Sequence, residues 1–443
     1  MNNTLLIKNG IIISLGDNSK VLYNHSILLE NGLIKKIAPS SEFKEKYDKV
    51  IDASGKVVLP GFINAHMHFY STLVRGLGKA KPSGNFVEVL ENLWWRLDKV
   101  LLPEDNYYSA LIMLINGIKR GTTTFIDHHS SPHAVTGSLQ QIAKAVKETG
   151  LRASLCYELS DRDGEKIAEE GLSENYEFIK YTQKNNDEFL KALFGLHASF
   201  TISDKTLEKA SKLGNELNSG FHIHVAEAES DEEYNLKNFG MRVVGRLNKF
   251  GILGSKTIAA HCVHVNENEM NLLKDTQTIV VHNPQSNLNN AVGIADVVKM
   301  ANKGVLVGLG TDAMTVNMIE EVRVAMWTQH LKQNNPTAGF IEIASTLFFN
   351  NAKIANRYWN NPLGKIEEGA AGDIVLIDYN PPTPLDENTV LGHLIFGISQ
   401  ADTDTTIVNG KVLMENRKLN LDIDEEAIAV KARELTVKLW KRF

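Results

Sequence analysis

The chain contains 443 residues, of which 43% are hydrophobic and 23% charged, and this ordinary composition excludes a disordered or fibrous protein. A formal net charge of −6 without a long basic run argues against nucleic-acid and acidic-membrane partners. Two cysteines, Cys156 and Cys262, are too few for a disulfide framework, and neither a membrane-spanning run nor a convincing signal peptide is present, so we expect a cytoplasmic protein.

Both ends of the chain have the pattern of a small β-domain. Short segments rich in β-branched residues and broken by turns occur in residues 1–60 and again in residues 365–443. Asn-Gly pairs at positions 9–10, 31–32 and 409–410 favour hairpins. We therefore expect one discontinuous sheet domain built from both ends. The last stretch of the chain, acidic at its start and basic at its end, predicts an amphipathic helix.

The middle of the chain, residues 61–364, alternates apolar strand-like runs with helix-like segments. Eight runs occur, at residues 61–69, 122–129, 152–159, 193–200, 221–227, 257–265, 278–287 and 305–313. Eight strands that each lead to a helix predict a (β/α)₈ barrel. The alternative, an open doubly wound sheet, gives no reason for eight evenly spaced strands with polar C-terminal ends. The long connection at 70–121 would be a lid or extra packing. Its Trp94 and Trp95 would stack on a planar ring or pack a helix.

Histidines accumulate late in these strands. Eleven of the 14 lie within residues 66–282, and barrel active sites are built at the C-terminal ends of the strands. His66 and His68 are two residues apart and therefore share one strand face. His224 lies near the end of the fifth strand, and Asp312 follows the eighth. Three imidazoles and one carboxylate predict a catalytic metal site that leaves room for water.

Two further residues of these strand ends carry candidate chemistry. Glu227 follows His224 by three positions, where a carboxylate can reach a metal-bound water, although an ordinary solvated acid is the alternative. His261 and His264 lie on opposite strand faces, so we expect only His261 to face the site and His264 to lie in a loop or behind it. His222 shares the face of His224 one layer deeper, where packing or support of the site is expected.

The chain resembles the amidohydrolase superfamily over nearly its whole length, through the motifs KVVLPGFINAHMH, HVAE, AAHCVHV, HNPQSN, GLGTDA and PLGKIEEGAAGDIVLID. This resemblance implies a barrel joined to a composite β-sandwich from both termini. The fourth strand carries His197 and lacks the lysine typical of the binuclear branch. The chain is therefore similar to the mononuclear branch, which holds guanine, cytosine and S-adenosylhomocysteine deaminases and triazine chlorohydrolases. IDHHSSP and NPQSNLNNAVG resemble the SsnA-type aminohydrolases.

The resemblance also implies roles for individual residues. The metal ligands would be His66, His68, His224 and Asp312. Glu227 would transfer protons, His261 would polarise the reacting group, Asp312 would relay the second proton, and His197 would contact the substrate. Asp127-His128-His129 resembles a motif of some oxopurine and triazine deaminases but receives no role. Asn287 begins a run that departs from the K-L-x-S-G-like run of many relatives, which leaves the substrate undefined.

The expected activity is the metal-dependent hydrolytic deamination of a C–N bond in a small heterocyclic, purine-like substrate. Zinc is the expected ion, and iron(II) fits the same ligands. The alternatives are a cyclic amidase, a triazine-type chlorohydrolase, or a non-catalytic interaction protein on the same scaffold. We expect no nucleic-acid or membrane partner, and a homo-oligomer is compatible with the sequence.

Overall fold

The N-terminal part of the chain forms short strands, as its β-branched runs predict. The computed structural model describes residues 4–16 and 18–443. The strands before the barrel are β1 (Thr4–Lys8), β2 (Ile11–Ile13), β3 (Val21–Leu22), β4 (His25–Glu30), β5 (Leu33–Pro39), β6 (Lys49–Asp52) and β7 (Lys56–Pro60).

The middle of the chain alternates strands with helices. Its strands are β8 (Phe62–Met67), β9 (Thr122–Asp127), β10 (Arg152–Leu155), β11 (Leu190–Ala192), β12 (Phe194–Ala198), β13 (Phe221–Val225), β14 (Ile258–His261), β15 (Ile279–His282) and β16 (Val307–Leu309). All except β11 fall within the eight predicted runs. Those runs extend past the strand ends, because the polar residues that follow each strand lie in loops at one rim.

Helices connect the strands and cover them. They are α1 (Phe86–Val89), α2 (Trp95–Val100), α3 (Pro103–Lys119), α4 (Ser138–Thr149), α5 (Glu165–Asn185), α6 (Asp204–Glu216), α7 (Glu229–Phe239), α8 (Val243–Lys249), α9 (Glu267–Asp275), α10 (Pro284–Asn289), α11 (Val297–Asn302), α12 (Met318–Lys332), α13 (Phe340–Ser345), α14 (Asn351–Ala355), α15 (Val390–Gly392) and the predicted C-terminal α16 (Glu425–Arg442). No helix in the described ranges combines the length and apolar composition that crossing a membrane requires.

The parallel strands of the middle region form a ring. Two sheets have the orders β11-β10-β9-β8 and β12-β13-β14-β15-β16. Two isolated bridges join them at both edges: Leu159, after β10, pairs with Leu196, and Met67 pairs with Asp312, after β16. The predicted (β/α)₈ barrel is therefore confirmed. All its strands run in the same direction, so their C-terminal ends meet at one rim, as in other barrels of this kind.

Strands from both ends of the chain pack into a β-sandwich. After the barrel the chain adds β17 (Ile374–Asp378), β18 (Thr403–Val408), β19 (Lys411–Glu415) and β20 (Lys418–Leu419). One sheet has the order β5-β4-β1-β6 and the other β20-β19-β18-β17-β7-β2-β3. Because β17 pairs with β7, the second sheet combines both ends. Apolar side chains, among them Leu29, Val58 and Leu376, form the core. The domain boundaries at residues 60 and 365 stay a prediction.

Two of the three Asn-Gly pairs form hairpins. Asn31 and Gly32 join β4 to β5, and Asn409 and Gly410 join β18 to β19. Both residues of each pair have positive φ, 53° and 84° in the first and 51° and 72° in the second. Two consecutive positive φ angles are the requirement of the type I′ turn that favours Asn-Gly in two-residue hairpins.

The hairpin prediction for the remaining pair, Asn9 and Gly10, is wrong. Strand β1 pairs with β4 and β6, whereas β2 pairs with β3 and β7, so this turn carries the chain from one sheet to the other. Asn9 has a φ of 67°, which makes the turn. A Cβ on Gly10 would lie 2.6 Å from Cγ2 of Val58, so the glycine permits close packing on β7 instead of a hairpin.

Candidate metal and catalytic site

The rim of the barrel brings together the six residues that the sequence singled out for metal binding and proton transfer. Each is less than 10% exposed: His66, His68, His224, Glu227, His261 and Asp312. They come from β8 and the residue directly after it, from β13 and the loop after it, from β14, and from the loop after β16. The barrel therefore brings residues that are up to 246 positions apart in the chain into one cluster.

Two histidines at the rim face each other through their Nε2 nitrogens. The Nε2 atoms of His68 and His224 are 3.2 Å apart. Nδ1 of His68 donates to the backbone oxygen of His128 at 2.5 Å, and Nδ1 of His224 donates to that of His197 at 2.9 Å. A neutral imidazole that donates through Nδ1 has a bare Nε2. Two facing lone pairs at this distance repel each other, and a cation between them removes the repulsion.

Asp312 and His66 complete this arrangement. Oδ1 of Asp312 lies 3.0 Å from Nε2 of His68 and 3.8 Å from Nε2 of His66. Nε2 of His66 is buried and has no hydrogen-bond partner among the described residues, while its Nδ1 lies 2.8 Å from Nε2 of His222. Ligand atoms about 2.1 Å from one zinc ion in tetrahedral geometry are about 3.4 Å apart. The residues therefore fit a divalent ion.

Electrostatics keep two of these histidines, His66 and His224, in the neutral form that metal binding requires. Burial, with His222 alongside, lowers the pKa of His66 well below its usual 6.5. Burial also lowers the pKa of His224, and His128 adds to this effect. For His68, burial lowers the pKa but the carboxylate of Asp312 outweighs it and raises the pKa to about 9. Without an ion, therefore, the proton between these groups resides on His68; a metal would displace it.

Glu227 and His261 lie next to the metal-ligand candidates. Nε2 of His261 is 3.6 Å from Oε2 of Glu227 and 3.9 Å from Oδ2 of Asp312. Burial, and then the charge of Asp312, raises the pKa of Glu227 well above its usual 4.5. A carboxyl group with a raised pKa can both accept and return a proton near neutral pH. Nδ1 of His261 is 2.8 Å from Oδ1 of Asn287, which orients the ring.

The backbone at the rim is left-handed at several residues that are not glycine, and three of them belong to the site or adjoin it. Ala226, His261 and Asp312 have φ angles of 45°, 72° and 51°. Such residues cost about 1–2 kcal/mol each and concentrate at functional sites. The turn after His261 places His264 in the loop, where its Nε2 lies 2.7 Å from the oxygen of Val292. His264 is therefore outside the cluster, in agreement with the prediction.

Two residues of the α10 segment contact the cluster, and the sequence had assigned them no role. Oγ of Ser286 donates to Oδ2 of Asp312, and Nδ2 of Asn290 donates to Oε1 of Glu227 at 3.3 Å. Ser286 and Asn290 are four residues apart, so they share one helix face. The four-residue spacing is visible in the sequence, but the sequence does not show that this helix face is turned toward Asp312 and Glu227.

The site opens into a cavity, called here the rim cavity, which is lined at one end by His68, His224, Glu227 and Asp312. The connection at 70–121 supplies an apolar wall that includes Trp94 and Trp95. His197 also lines the cavity, with its ring centroid 5.6 Å from that of His224 and 6.3 Å from that of Trp95. Two acids that the sequence had not indicated, Asp98 and Glu158, line it as well.

The Asp127-His128-His129 motif supports the site from behind. Oδ1 of Asp127 accepts a hydrogen bond from the backbone nitrogen of Phe69 at 2.7 Å. Nε2 of His128 donates to the backbone oxygen of His222 at 3.1 Å, and His129 bonds through Nε2 to a serine hydroxyl. None of the three belongs to the described lining of the rim cavity, so the motif positions neighbouring side chains.

Comparison with known proteins agrees with this geometry. The sequence profile of the amidohydrolase family matches residues 57–413. The chain belongs to the amidohydrolase family. The match includes all eight barrel strands and every candidate site residue, and it confirms the family predicted from the motifs.

The similar proteins extend over the whole chain. A 5'-deoxyadenosine deaminase from Methanobrevibacter smithii is 34% identical over 443 residues, covering 99% of this chain and 98% of that protein. A 5-methylthioadenosine/S-adenosylhomocysteine deaminase from Carboxydothermus hydrogenoformans is 35% identical over 442 residues, covering 98% of each. The crystal structure of a zinc-bound adenosine deaminase from Xanthomonas campestris has a TM-score of 0.87 at 23% identity, with 98% of each chain covered, and shares the fold.

Proposed function

We propose that this chain is a metal-dependent hydrolytic deaminase that acts on a C–N bond of a heterocyclic, purine-like substrate. The observation that carries the proposal is the facing pair of Nε2 atoms on His68 and His224, 3.2 Å apart, with Asp312 beside them and Glu227 next to His261. The whole-length relatives, at 34% and 35% identity, are named as deaminases of adenosine derivatives. They support release of ammonia in preference to chloride release or opening of a cyclic amide.

The ion would be held by His66, His68, His224 and Asp312. We propose zinc, because three imidazoles and one carboxylate suit it, and iron(II) is the alternative that fits the same ligands. When bound, a divalent ion lowers the pKa of water to about 7, so that a nucleophile is available at neutral pH. The carbonyl partners of His68 and His224 orient their rings toward the ion, as such partners do in other metal sites.

The remaining residues would move protons and stabilise charge. Glu227 takes the proton that the attacking water loses and delivers it to the ring nitrogen next to the reacting carbon. His261 faces the same point and stabilises the charge that develops as the carbon becomes tetrahedral. Asp312, held by Ser286, accepts the second proton from the added oxygen and passes it to the amino group. Ammonia then leaves, and a carbonyl remains on the ring.

The rim cavity suits a planar substrate. Trp94 and Trp95 present aromatic surface, and His197, whose Nδ1 is 2.6 Å from Oγ1 of Thr201, offers Nε2 to the cavity as a hydrogen-bonding group. We therefore propose that His197 contacts the substrate ring. A cytoplasmic location and a homo-oligomeric state stay predictions from the sequence.

One set of measurements tests this proposal against its rivals. Metal per chain is measured on purified protein, and metal-loaded protein is screened against aminopurines, aminopyrimidines, chlorotriazines and cyclic amides. We expect bound zinc or iron and ammonia release from an aminopurine. Chloride release would identify a chlorohydrolase, and ring opening without ammonia a cyclic amidase. A chain without any divalent metal would support a non-catalytic protein.

A further inference from the structure

Two buried carboxylates in the rim cavity have no role in the reaction proposed above. Asp98 and Glu158, called here the acceptor pair, are 1% and 5% exposed and both line the cavity. Asp98 comes from α2 and Glu158 from the segment after β10. One member of the acceptor pair thus belongs to the long connection at 70–121 and the other to the barrel rim. When ionised, both carboxylates can only accept hydrogen bonds.

Asp98 uses only one of its two oxygens within the protein. Oδ2 accepts from Oγ of Ser130 at 3.1 Å and from a guanidinium nitrogen of Arg162 at 2.8 Å. Oδ1 is buried and has no hydrogen-bond partner among the described residues. Nε1 of Trp95, which lines the same cavity, is also buried without a partner in this part of the structure.

Glu158 lies between two histidines. Its Oε2 is 3.2 Å from Nδ1 of His128, and its Oε1 is 3.5 Å from Nε2 of His197. His128 already donates through Nε2 to two backbone oxygens, at 3.1 Å each, so a neutral His128 ring has no proton left for the carboxylate. Nδ1 of His197 donates to Oγ1 of Thr201, whose own proton goes to the backbone oxygen of Ala198, so a neutral His197 has no proton on Nε2 either. Glu158 therefore also has unused accepting capacity beside the cavity.

A buried acceptor without a hydrogen-bond donor destabilises the folded protein by about 1–3 kcal/mol, because it has lost its hydrogen bonds to water. A ligand that brings N–H or O–H donors to these oxygens removes that cost. The described lining of the cavity contains no lysine or arginine, and the guanidinium of Arg162 already bonds to Asp98. Phosphate or carboxylate groups on a ligand would therefore meet carboxylates without a free cation.

We propose that the acceptor pair makes the rim cavity selective for neutral ligands that present N–H or O–H donors away from the reacting amino group. This inference rests on the proposed function for the identity of the reaction, but it concerns Asp98 and Glu158. A 9-substituted adenine ring offers only acceptors besides its amino group. The donors would therefore come either from a ring N–H of a free base or from hydroxyl groups of an attached sugar.

Binding of non-reacting oxopurines tests the inference independently of turnover. Calorimetry on the metal-loaded protein compares hypoxanthine with 9-methylhypoxanthine, which removes a ring N–H, and inosine with 2',3'-dideoxyinosine, which removes two hydroxyls. Sites built to bond a substrate donor reject the analogue that lacks it strongly. We expect at least one pair to differ in Kd by about 10-fold or more, and that pair identifies the source of the donors. Inosine 5'-phosphate should bind more weakly than inosine.

Variants then assign the selectivity to residues. Asp98→Asn and Glu158→Gln each replace one carboxylate oxygen by an NH2 donor of nearly the same size, so the Kd ratio of the discriminating pair should fall toward 1 in at least one of them. Asp163→Asn is the matched control, because this acid pairs with Lys99 at 2.8 Å and does not belong to the described lining of the cavity. It should keep the wild-type ratio. Thermal unfolding confirms that each variant is folded.

The inference is overturned if neither ligand pair discriminates, if no oxopurine binds, or if the ratio survives in both Asp98→Asn and Glu158→Gln. Should Asp98→Asn fail to fold because Arg162 loses its partner, Glu158→Gln alone decides. Ammonia release from adenosine and adenine is measured in parallel. Discrimination without ammonia release refutes the proposed function and leaves the acceptor pair intact, whereas ammonia release without discrimination refutes the acceptor pair only.

Discussion

The β-sandwich and the barrel rim satisfy their buried groups in different ways. Between its two sheets the sandwich buries apolar side chains such as Ile27 and Leu29, at 0% and 1% exposure. The rim instead buries histidines and acids, several without hydrogen-bond partners in the described structure, and holds a histidine, His261, in the left-handed conformation that asparagine and glycine adopt in the sandwich turns. Strain and unsatisfied polar groups are retained where they serve a function. Substitutions at the rim should therefore affect chemistry, and those in the sandwich stability.

The largest effect on chemistry is expected from the metal-ligand candidates. Removing a group that merely supports a ligand typically costs 10–100-fold in metal affinity or activity, so His66→Ala and His224→Ala, which remove ligand atoms, should each lose more than about 100-fold in turnover, together with bound metal. Metal per chain and ammonia release measure both. His264→Ala is the control and should retain its metal. Full metal content in both ligand variants would move the site elsewhere.

The second rim prediction separates proton transfer from metal binding. Glu227→Gln keeps the size of the side chain but cannot accept and pass on a proton, so kcat should fall by about 10²–10⁴-fold with metal and fold retained. Asp312→Asn should lose both activity and metal, because it weakens a ligand. Metal analysis and turnover are compared for the two variants. If Glu227→Gln loses its metal, Glu227 is a metal ligand. If the variant keeps wild-type turnover, Glu227 takes no part in proton transfer.

In the sandwich, the expected change is in stability. Leu29→Ala removes a buried side chain from the core between the sheets and should lower the free energy of unfolding by about 2–5 kcal/mol. Denaturant unfolding measures this, and kcat of the folded fraction should equal that of wild type. Leu331→Ala, at a side chain that is 75% exposed, should stay within about 0.5 kcal/mol. A large kcat loss in Leu29→Ala would refute the separation of the two regions.

The smallest effect is a pH dependence that originates near the rim. Burial raises the pKa of Glu321 to about 8, against a usual 4.5, and the bond from the backbone nitrogen of Gln285 only partly offsets this. Between these values the folded chain holds a proton that the unfolded chain releases, so stability falls as pH rises, by at most about 1.4 kcal/mol per pH unit.

Glu321→Gln tests this dependence, because it removes the titrating group while keeping its size. The fall in stability between about pH 5.5 and pH 8 should be smaller in this variant than in wild type. Urea unfolding across the range measures the slopes, and Glu45→Gln, at an exposed glutamate far from Glu321 in the sequence, should keep the wild-type slope. If the free energy of unfolding depends on pH equally in wild type and Glu321→Gln, then Glu321 has its ordinary pKa and the prediction is wrong.

The sequence by itself determined the eight barrel strands, because buried parallel strands are continuous apolar runs and need no distant information to be recognised. It also determined that His66 and His68 share a face, since side chains alternate along a strand. The family motifs indicated the six residues that the rim brings together. The Asn-Gly turns at residues 31–32 and 409–410 followed from their local φ preference.

Only the tertiary structure decided features that depend on segments far apart in the chain. The turn at Asn9 and Gly10 looks like a hairpin locally, but its direction is decided by packing on β7. Asp98 and Glu158 line one cavity although they are sixty residues apart in the chain, and Ser286 reaches Asp312 only because α10 and the loop after β16 meet at the rim. Sequence patterns report local periodicity and turn chemistry; which polar groups end up in one cavity is fixed by the closure of the barrel.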